Sequence, residues 1–402
     1  MITYVNIIIH MDPRTNPYSP GAGTLPPELA GRDQIIEKVS IQLDRCRNGL
    51  AFRSFLLVGL RGVGKTVLLN HLFVDAESKG FAVVQIETPE KRSLPALIIP
   101  SLRSALLKLD RIAATGELTK KALRALGGFV SAMKLKYEDI QFGLDLGSEP
   151  GVADSGDLEN DLMDLFVELG EAAKEKKTAL VLFIDEVQYI EENEFAALIM
   201  ALHKCTQKQL PVTIVGAGLP QLVGQAGRAK SYAERLFEYP EIGPLSKEAS
   251  IAALSVPASK LNVTYQEEAL TEIFSQTKGY PYFLQEWGKH SWQCAQNSPI
   301  TQSDAQHATE LAITELDASF FRVRFDRLTP SEKKYLRAMA ELGPGPHRSG
   351  DIAHLLKKEV QGVAPIRATL INKGMIYSPE HGDNSFTVPL FDGYMKRVMP
   401  IF

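Results

Sequence analysis

The stretch SFLLVGLRGVGKTV, residues 54–67, decides how the rest of the chain is read. Ser54 to Val58 is a short apolar run of the kind that forms a strand covered on both faces. A glycine-rich turn follows, and TVLLNHLF resumes with the character of a helix. Gly59-Leu60-Arg61-Gly62-Val63-Gly64-Lys65-Thr66 satisfies G-x-x-x-x-G-K-[ST] in full, and Val67 continues into the helix. Glycines let backbone N–H groups face phosphate oxygens without a Cβ in the way, and a helix N-terminus adds positive potential. In such a loop Lys65 reaches the β/γ-phosphates and the Thr66 hydroxyl ligates Mg2+. A chance glycine turn would need neither the strand before it nor the helix after it.

A second stretch completes the first. In Leu180-Val181-Leu182-Phe183-Ile184-Asp185-Glu186 a buried apolar run ends in two carboxylates. Asp185 is placed to orient Mg2+, and Glu186 to polarise a water for attack on the γ-phosphate. Strand-end carboxylates also serve as helix caps; the intact phosphate loop upstream favours the Mg2+ reading.

Outward from these motifs, apolar strands at Phe81–Ile86, Ala179–Ile184 and Val212–Val215 alternate with helices, which implies a parallel α/β sheet. The helix from Leu94 to Leu109 is limited at its start by Pro95 and Pro100. Lys134 to Leu146 alternates like an exposed strand pair, and the acidic, glycine-rich Ser148 to Asp161 reads as a surface loop. After Tyr239 the pattern is helical. From Thr329 it runs helix, short helix, helix and two strands, with HGDNS (381–385) as the turn, the layout of a winged helix-turn-helix. The expected domains are an extended, proline-rich segment at 1–26, a nucleotide-binding core at 27–243 with an insertion at 115–160, a helical lid at 244–320 and a winged helix at 321–402.

Composition sets the outer limits. With 402 residues, 45% of them hydrophobic and 23% charged, the chain is ordinary for a soluble globular protein, which excludes a disordered, collagenous or coiled-coil one. No apolar run reaches the ~18 residues of a membrane span. Cys46, Cys205 and Cys294 are far apart and odd in number, which argues for a reducing compartment. Met1 to His10 lacks a basic flank and a cleavage site and makes a poor signal peptide, so a cytoplasmic location is expected. Net charge is −4, yet Arg327 to Phe402 holds 11 Lys/Arg against 7 Asp/Glu, a weak pointer to a polyanion. His290 and Cys294 lie four apart on a helix, but no second ligand pair has metal spacing, so core packing is the expectation. The aromatics Tyr280, Tyr282, Phe283 and Trp287 read as helix packing.

The order of Gly31-Arg32-Asp33, the phosphate loop, the strand-end carboxylates, a helical lid and a winged helix resembles an AAA+ ATPase, in the branch of origin-recognition and STAND-type ATPases. The resemblance covers most of residues 24–402. It implies ATP or ADP with Mg2+ as ligands, hydrolysis of ATP, and a place for Gly31 and Arg32 beside the adenine. It implies a polar sensor at the tip of the strand after Glu186, where Val215-Gly216-Ala217-Gly218-Leu219-Pro220 offers none. Arg235 is the implied arginine finger acting in a neighbouring subunit, with Arg228 as runner-up. The lid carries Gly279-Tyr280-Pro281 instead of a sensor arginine, which resembles the STAND-type branch, where the proline contacts the nucleotide. In the winged helix, Arg367, Thr369, Asn372 and Lys373 would face DNA bases, and Arg348, Lys357 and Lys358 phosphates. Two outputs stay open: a nucleotide-gated switch on double-stranded DNA, or a signalling or scaffold ATPase whose winged helix contacts protein partners, with a homo-oligomer compatible with either.

Overall fold

The apolar runs form the strands that the sequence marks. In this computed structural model, described for residues 11–401 except 22, 90–91, 113–116, 141–149 and 381, two units separate. One is Asp33–Val58 with Leu68–Glu241; the other is the chain up to Arg32 with Gly59–Val67 and Ile242–Phe402. The expectation for Met1 to His10 lies outside the described residues.

The first unit contains α1 (Asp33–Arg47), β1 (Ser54–Val58), most of α2 (Lys65–Ser78), β2 (Ala82–Glu87), α3 (Leu94–Ile112), α4 (Glu117–Lys134) and α5 (Leu158–Glu175). It continues with β3 (Leu180–Asp185), α6 (Glu192–Gln207), β4 (Val212–Gly218), α7 (Leu222–Ala229), α8 (Ala233–Leu236) and β5 (Phe237–Glu238). The strands form a parallel sheet in the order β2-β3-β4-β1-β5. β1, β3 and β4 are buried along their whole length, as strands covered on both faces must be, whereas edge strand β2 alternates. Because all run the same way, the ends of β1 and β3 lie on one edge of the sheet with β4 between them.

β4 is unusually thin there. A Cβ on Gly216 would lie 2.7 Å from Leu56 Cδ2, and one on Gly218 2.7 Å from the Gln188 side chain.

Three expectations need correction. Lys134 to Ile140 forms no strand: α4 runs to Lys134 with Ala122, Leu126, Phe129 and Met133 buried, and turns follow. Tyr137 N donates to Met133 O at 2.9 Å, and the Asp139 carboxylate accepts from Ser93 N and Oγ, so the alternation marks a folded turn. The remainder of that expectation, from 141, lies outside the described residues. Neither proline delays α3: Pro95 sits in the first turn, where an N–H has no intrahelical partner anyway, and the helix continues through Pro100. Nor is the end of the acidic loop superficial. Asp161 is 1% exposed and accepts from Ser155 N, Ser155 Oγ and Gly156 N.

The second unit holds α9 (Lys247–Ser259), α10 (Glu267–Thr277), α11 (Pro281–Cys294), α12 (Gln302–Ala318) and α13 (Phe320–Asp326). After them come α14 (Pro330–Leu342), β6 (His347–Arg348), α15 (Ser349–Leu355), α16 (Val360–Asn372), β7 (Ile376–Tyr377), β8 (Asp383–Phe386) and α17 (Phe391–Val398). Capping boxes start α12 (Thr301 with Asp304) and α14 (Thr329 with Glu332), satisfying N–H groups that the helix leaves unpaired. β6, β8 and β7 form an antiparallel sheet in that order; β6 was not expected, and β8 begins at Asp383, so Asp383 to Ser385 of the expected turn are strand. One apolar core joins the lid helices to these elements through Phe283, Trp287, Phe321, Phe391 and Tyr394. Among its described residues the proline-rich N-terminal segment has one short helical turn, Pro13–Thr15, and is anchored by Tyr18, 4% exposed. The Tyr18 hydroxyl donates to Leu254 O, and its ring leaves no room for a Cβ on Gly288.

Candidate functional site

β1 delivers the chain into Gly59, where a Cβ would stand 2.2 Å from Ile242 O, so no other residue fits without backbone movement. Gly62 and Gly64 have φ of +81° and +87°, the left-handed region that glycine enters without steric cost. Nothing lies within 4 Å of where a Gly64 Cβ would be. α2 starts at Lys65, directly behind the loop. Lys65 is 8% exposed, and its Nζ donates to Gly59 O and Leu60 O, both at 2.9 Å. Thr66 and Val67 are half-buried in the first turn. This arrangement offers glycine amides, a helix N-terminus and a buried ammonium, the donor set that holds a polyphosphate.

The loop is held from three directions within its unit. Arg32 Nη2 donates to Val63 O at 3.1 Å and to Gly243 O at 2.6 Å. Burial lowers the Arg32 pKa from the usual arginine range. Gly31, with φ +68° and Ala249 Cβ 2.9 Å from its missing Cβ, allows that approach. From α11, Tyr282 N donates to Gly62 O at 3.1 Å, and Pro281 occupies the first helical position. Gly279 makes that turn possible, with φ +75° and Leu245 O 2.3 Å from its missing Cβ. From the C-terminal region, Thr387 O accepts from Arg61 N at 2.9 Å. Sequence reasoning missed this last contact, because nothing local marks Thr387.

The carboxylates end β3 in the other unit. Asp185 is 6% exposed, and its Oδ1 accepts from Glu186 N at 2.8 Å. Glu186 has φ +54°, which turns the chain sharply out of the strand. Thr88, just past β2, braces this turn: its hydroxyl donates to Asp185 O at 2.8 Å and Glu186 O at 2.6 Å. Gln188 Nε2 donates to Glu186 Oε2, while Gln188 Oε1 accepts from Leu219 N at 3.0 Å. Gln188 therefore occupies the space beside the tip of β4, where the strand itself supplies no polar side chain. Gly216, Ala217 and Gly218 were the available signal, since strand residues that small make room for something else.

The other nominated residues are dispersed. Arg235 is exposed on α8, just before β5. Arg228, at the end of α7, lies 3.9 Å from Glu192. Arg367 is turned onto its own hairpin, donating to Asn384 Oδ1 (2.7 Å), Ser378 Oγ (2.8 Å) and Asp383 O (3.2 Å). Lys373 donates to Glu332 Oε2 at 2.8 Å and Arg327 O at 3.0 Å, and Arg348 pairs with Asp383 at 3.1 Å. Lys357 and Lys358 are exposed, as are Thr369 and Asn372 on α16.

Sheet order, glycine loop and strand-end carboxylates define a P-loop nucleotide-binding fold. More narrowly, residues 28–215 match the family profile of the AAA ATPase domain. Residues 318–395 match a family described as a domain of unknown function. An uncharacterized HTH-type transcriptional regulator of Methanocaldococcus jannaschii is 22% identical over 348 residues, 82% of this chain and 79% of that one. Among solved structures, the Walker-type ATPase of Pyrococcus abyssi is similar with a TM-score of 0.58 and 17% identity, over 92% of this chain and 96% of that one. Cdc6p of Pyrobaculum aerophilum has a TM-score of 0.48 and 15% identity, over 98% and 99%. At 17% identity the likeness to the Pyrococcus abyssi structure is one of fold. Among the described residues no helix is long and apolar enough to cross a membrane.

Proposed function

We propose that the chain is an ATP-dependent switch in which nucleotide at the glycine loop controls the C-terminal helix–hairpin domain. The observation that carries this reading is the Arg61 N–H bond to Thr387 O, together with the Tyr282 N–H bond to Gly62 O. One loop amide is committed to the C-terminal domain and one loop carbonyl to the lid. Lys65 is likewise committed to loop carbonyls. Bound ATP with Mg2+ supplies the phosphoryl group and neutralises its charge. The backbone from Gly62 to Thr66 and the Lys65 ammonium would hold the phosphates, with Thr66 and Asp185 as ligands for the ion. Glu186 would take a proton from the attacking water after leaving the Gln188 amide. Arg235, exposed and permanently charged, suits a finger reaching a second copy of the chain. Drawing Lys65 away from Gly59 O and Leu60 O toward phosphate reshapes the loop and weakens the Arg61 N–H bond to Thr387 O, and that is the switch.

Limited proteolysis of the hairpin around 378–388 tests the switch. Cleavage should change when Mg2+ and ATP are added to the intact chain, and should not change in Lys65→Ala. An identical pattern with and without nucleotide, in a protein shown to bind ATP, refutes it.

A second reading puts DNA at the C-terminal domain. It is supported by the order of elements there and by the printed name of the Methanocaldococcus jannaschii relative. Against it, Arg367, Lys373 and Arg348 have internal partners, and α16 exposes Gln361, Ala364, Ala368, Thr369 and Asn372, none of them cationic. A gel-shift assay on duplex DNA with and without ATP separates the two outputs.

A further inference from the structure

The lid holds a cluster that the nucleotide reading does not use. Glu286 and His290 lie one turn apart on α11, and Glu315 comes from α12 packed beside it. One ligand atom from each residue lies within 4.8 Å of the others. His290 Nε2 is 3.0 Å from Glu315 Oε2 and 3.9 Å from Glu286 Oε2. Three ligands around a tetrahedral ion at ~2.0–2.1 Å stand roughly 3.3 Å apart, so these separations bracket the required geometry.

A second observation is independent of that proximity. Glu286 and His290 are each 5% exposed, yet Glu286 Oε2 and both ring nitrogens of His290 lack a hydrogen bond of proper geometry. Their neighbours are at ion-pair distance, Glu315 Oε2 for His290 and Lys289 Nζ for Glu286, and buried polar atoms without an aligned hydrogen bond are costly unless something satisfies them. Burial pushes the Glu286 pKa up and the His290 pKa down, in keeping with two desolvated groups. The other Glu286 oxygen, Oε1, accepts from the Tyr282 hydroxyl at 3.1 Å, which fixes the carboxylate with Oε2 toward His290. Lys289 Nζ is 2.7 Å from Glu315 Oε1 and 3.8 Å from Glu286 Oε2, leaving Glu315 Oε2 for the ion. The Glu315 side chain is 47% exposed and provides a way in from solvent.

We propose that Glu286, His290 and Glu315 bind a divalent transition metal, Zn2+ in preference to Mg2+, in the lid. An imidazole with two carboxylates suits Zn2+, whereas Mg2+ prefers an all-oxygen shell. The ion staples α11 to α12 and holds Tyr282, whose backbone N–H meets Gly62 O of the phosphate loop. The tyrosine hydroxyl acts as the outer partner that orients a ligand carboxylate.

The test uses the full chain, stripped with chelator and free of nucleotide, so that the Mg2+ of bound ATP plays no part. Titration with Zn2+ by calorimetry should give one site per chain, and Co2+ should give a visible absorption band that Zn2+ abolishes. Glu286→Gln, His290→Gln and Glu315→Gln should each weaken Zn2+ by more than the ~10–100-fold typical of an outer partner, and Tyr282→Phe by an amount within that range. Glu315 is half-exposed, so its variant remains folded and informative even if changes at the buried positions do not. Zn2+ bound equally well by Glu315→Gln, or no Zn2+ bound by the native chain, overturns the assignment.

Discussion

Replacing Gln188 with methionine should speed hydrolysis rather than slow it. Gln188 Nε2 is bonded to Glu186 Oε2, and in the proposed mechanism Glu186 would leave that bond to take a proton from water. A hydrogen bond to a charged group contributes ~1.5–3 kcal/mol. Glu186 is half-buried and regains part of this from solvent on release, so the net restraint is about 1 kcal/mol, or about fivefold in rate. Methionine keeps the volume beside Gly218 and removes both hydrogen bonds of the amide. The other bond, from Leu219 N, is then lost, and the orphaned N–H should lower stability by ~1 kcal/mol. Steady-state phosphate release at saturating ATP measures the rate, calorimetry the ATP affinity, and a thermal melt the stability. The expected result is kcat about fivefold higher, unchanged ATP affinity and a slightly lower Tm. A kcat that collapses toward that of Glu186→Gln would mean that Gln188 aims Glu186 instead of restraining it.

Lys65→Ala should abolish or severely weaken ATP binding measured by calorimetry, while Glu186→Gln should bind ATP and release no phosphate. Gly59→Ala brings a Cβ to 2.2 Å from Ile242 O, so the backbone must move; ~1–3 kcal/mol of stability and much of the ATP affinity should be lost, read by melting and calorimetry. If Arg235 acts in a second copy, specific activity should rise with protein concentration, and mixing Arg235→Ala with Lys65→Ala should restore part of it; a flat concentration dependence and a dead mixture refute the finger. Arg367→Ala removes three bonds to the hairpin and should lower the Tm by destabilising the C-terminal domain. Should the native chain shift duplex DNA, each phosphate contact adds ~0.9 to the log–log salt slope.

What was legible in the sequence was what neighbouring residues decide. The glycine loop and the strand-end carboxylates declare themselves because the strand, turn and helix that give them meaning are adjacent in the chain. The helix–hairpin order after Thr329 was readable for the same reason. Lys134 to Ile140 misled because its alternation is that of a turn packed through Asp139 onto Ser93, which local periodicity does not distinguish from a strand. Gln188 was missed because its role comes from the thinness of β4, a strand that follows it in sequence. His290 was weighed against Cys294 on its own helix, whereas the carboxylates beside it are Glu286 and, from α12, Glu315.

The tie between Arg61 and Thr387 also has a meaning in the order of synthesis. The sequence of the glycine loop is complete once residue 67 has been made, but the groups that hold it lie at Gly243, Tyr282 and Thr387. At about 5–20 residues per second, the interval from 67 to 387 lasts roughly 15–65 s. Throughout that time the growing chain owns a phosphate loop with no Thr387 carbonyl to restrain it. The last of those restraints can therefore form only after the sheet that presents the loop, since β1 pairs with β4 and β5, made well before Thr387.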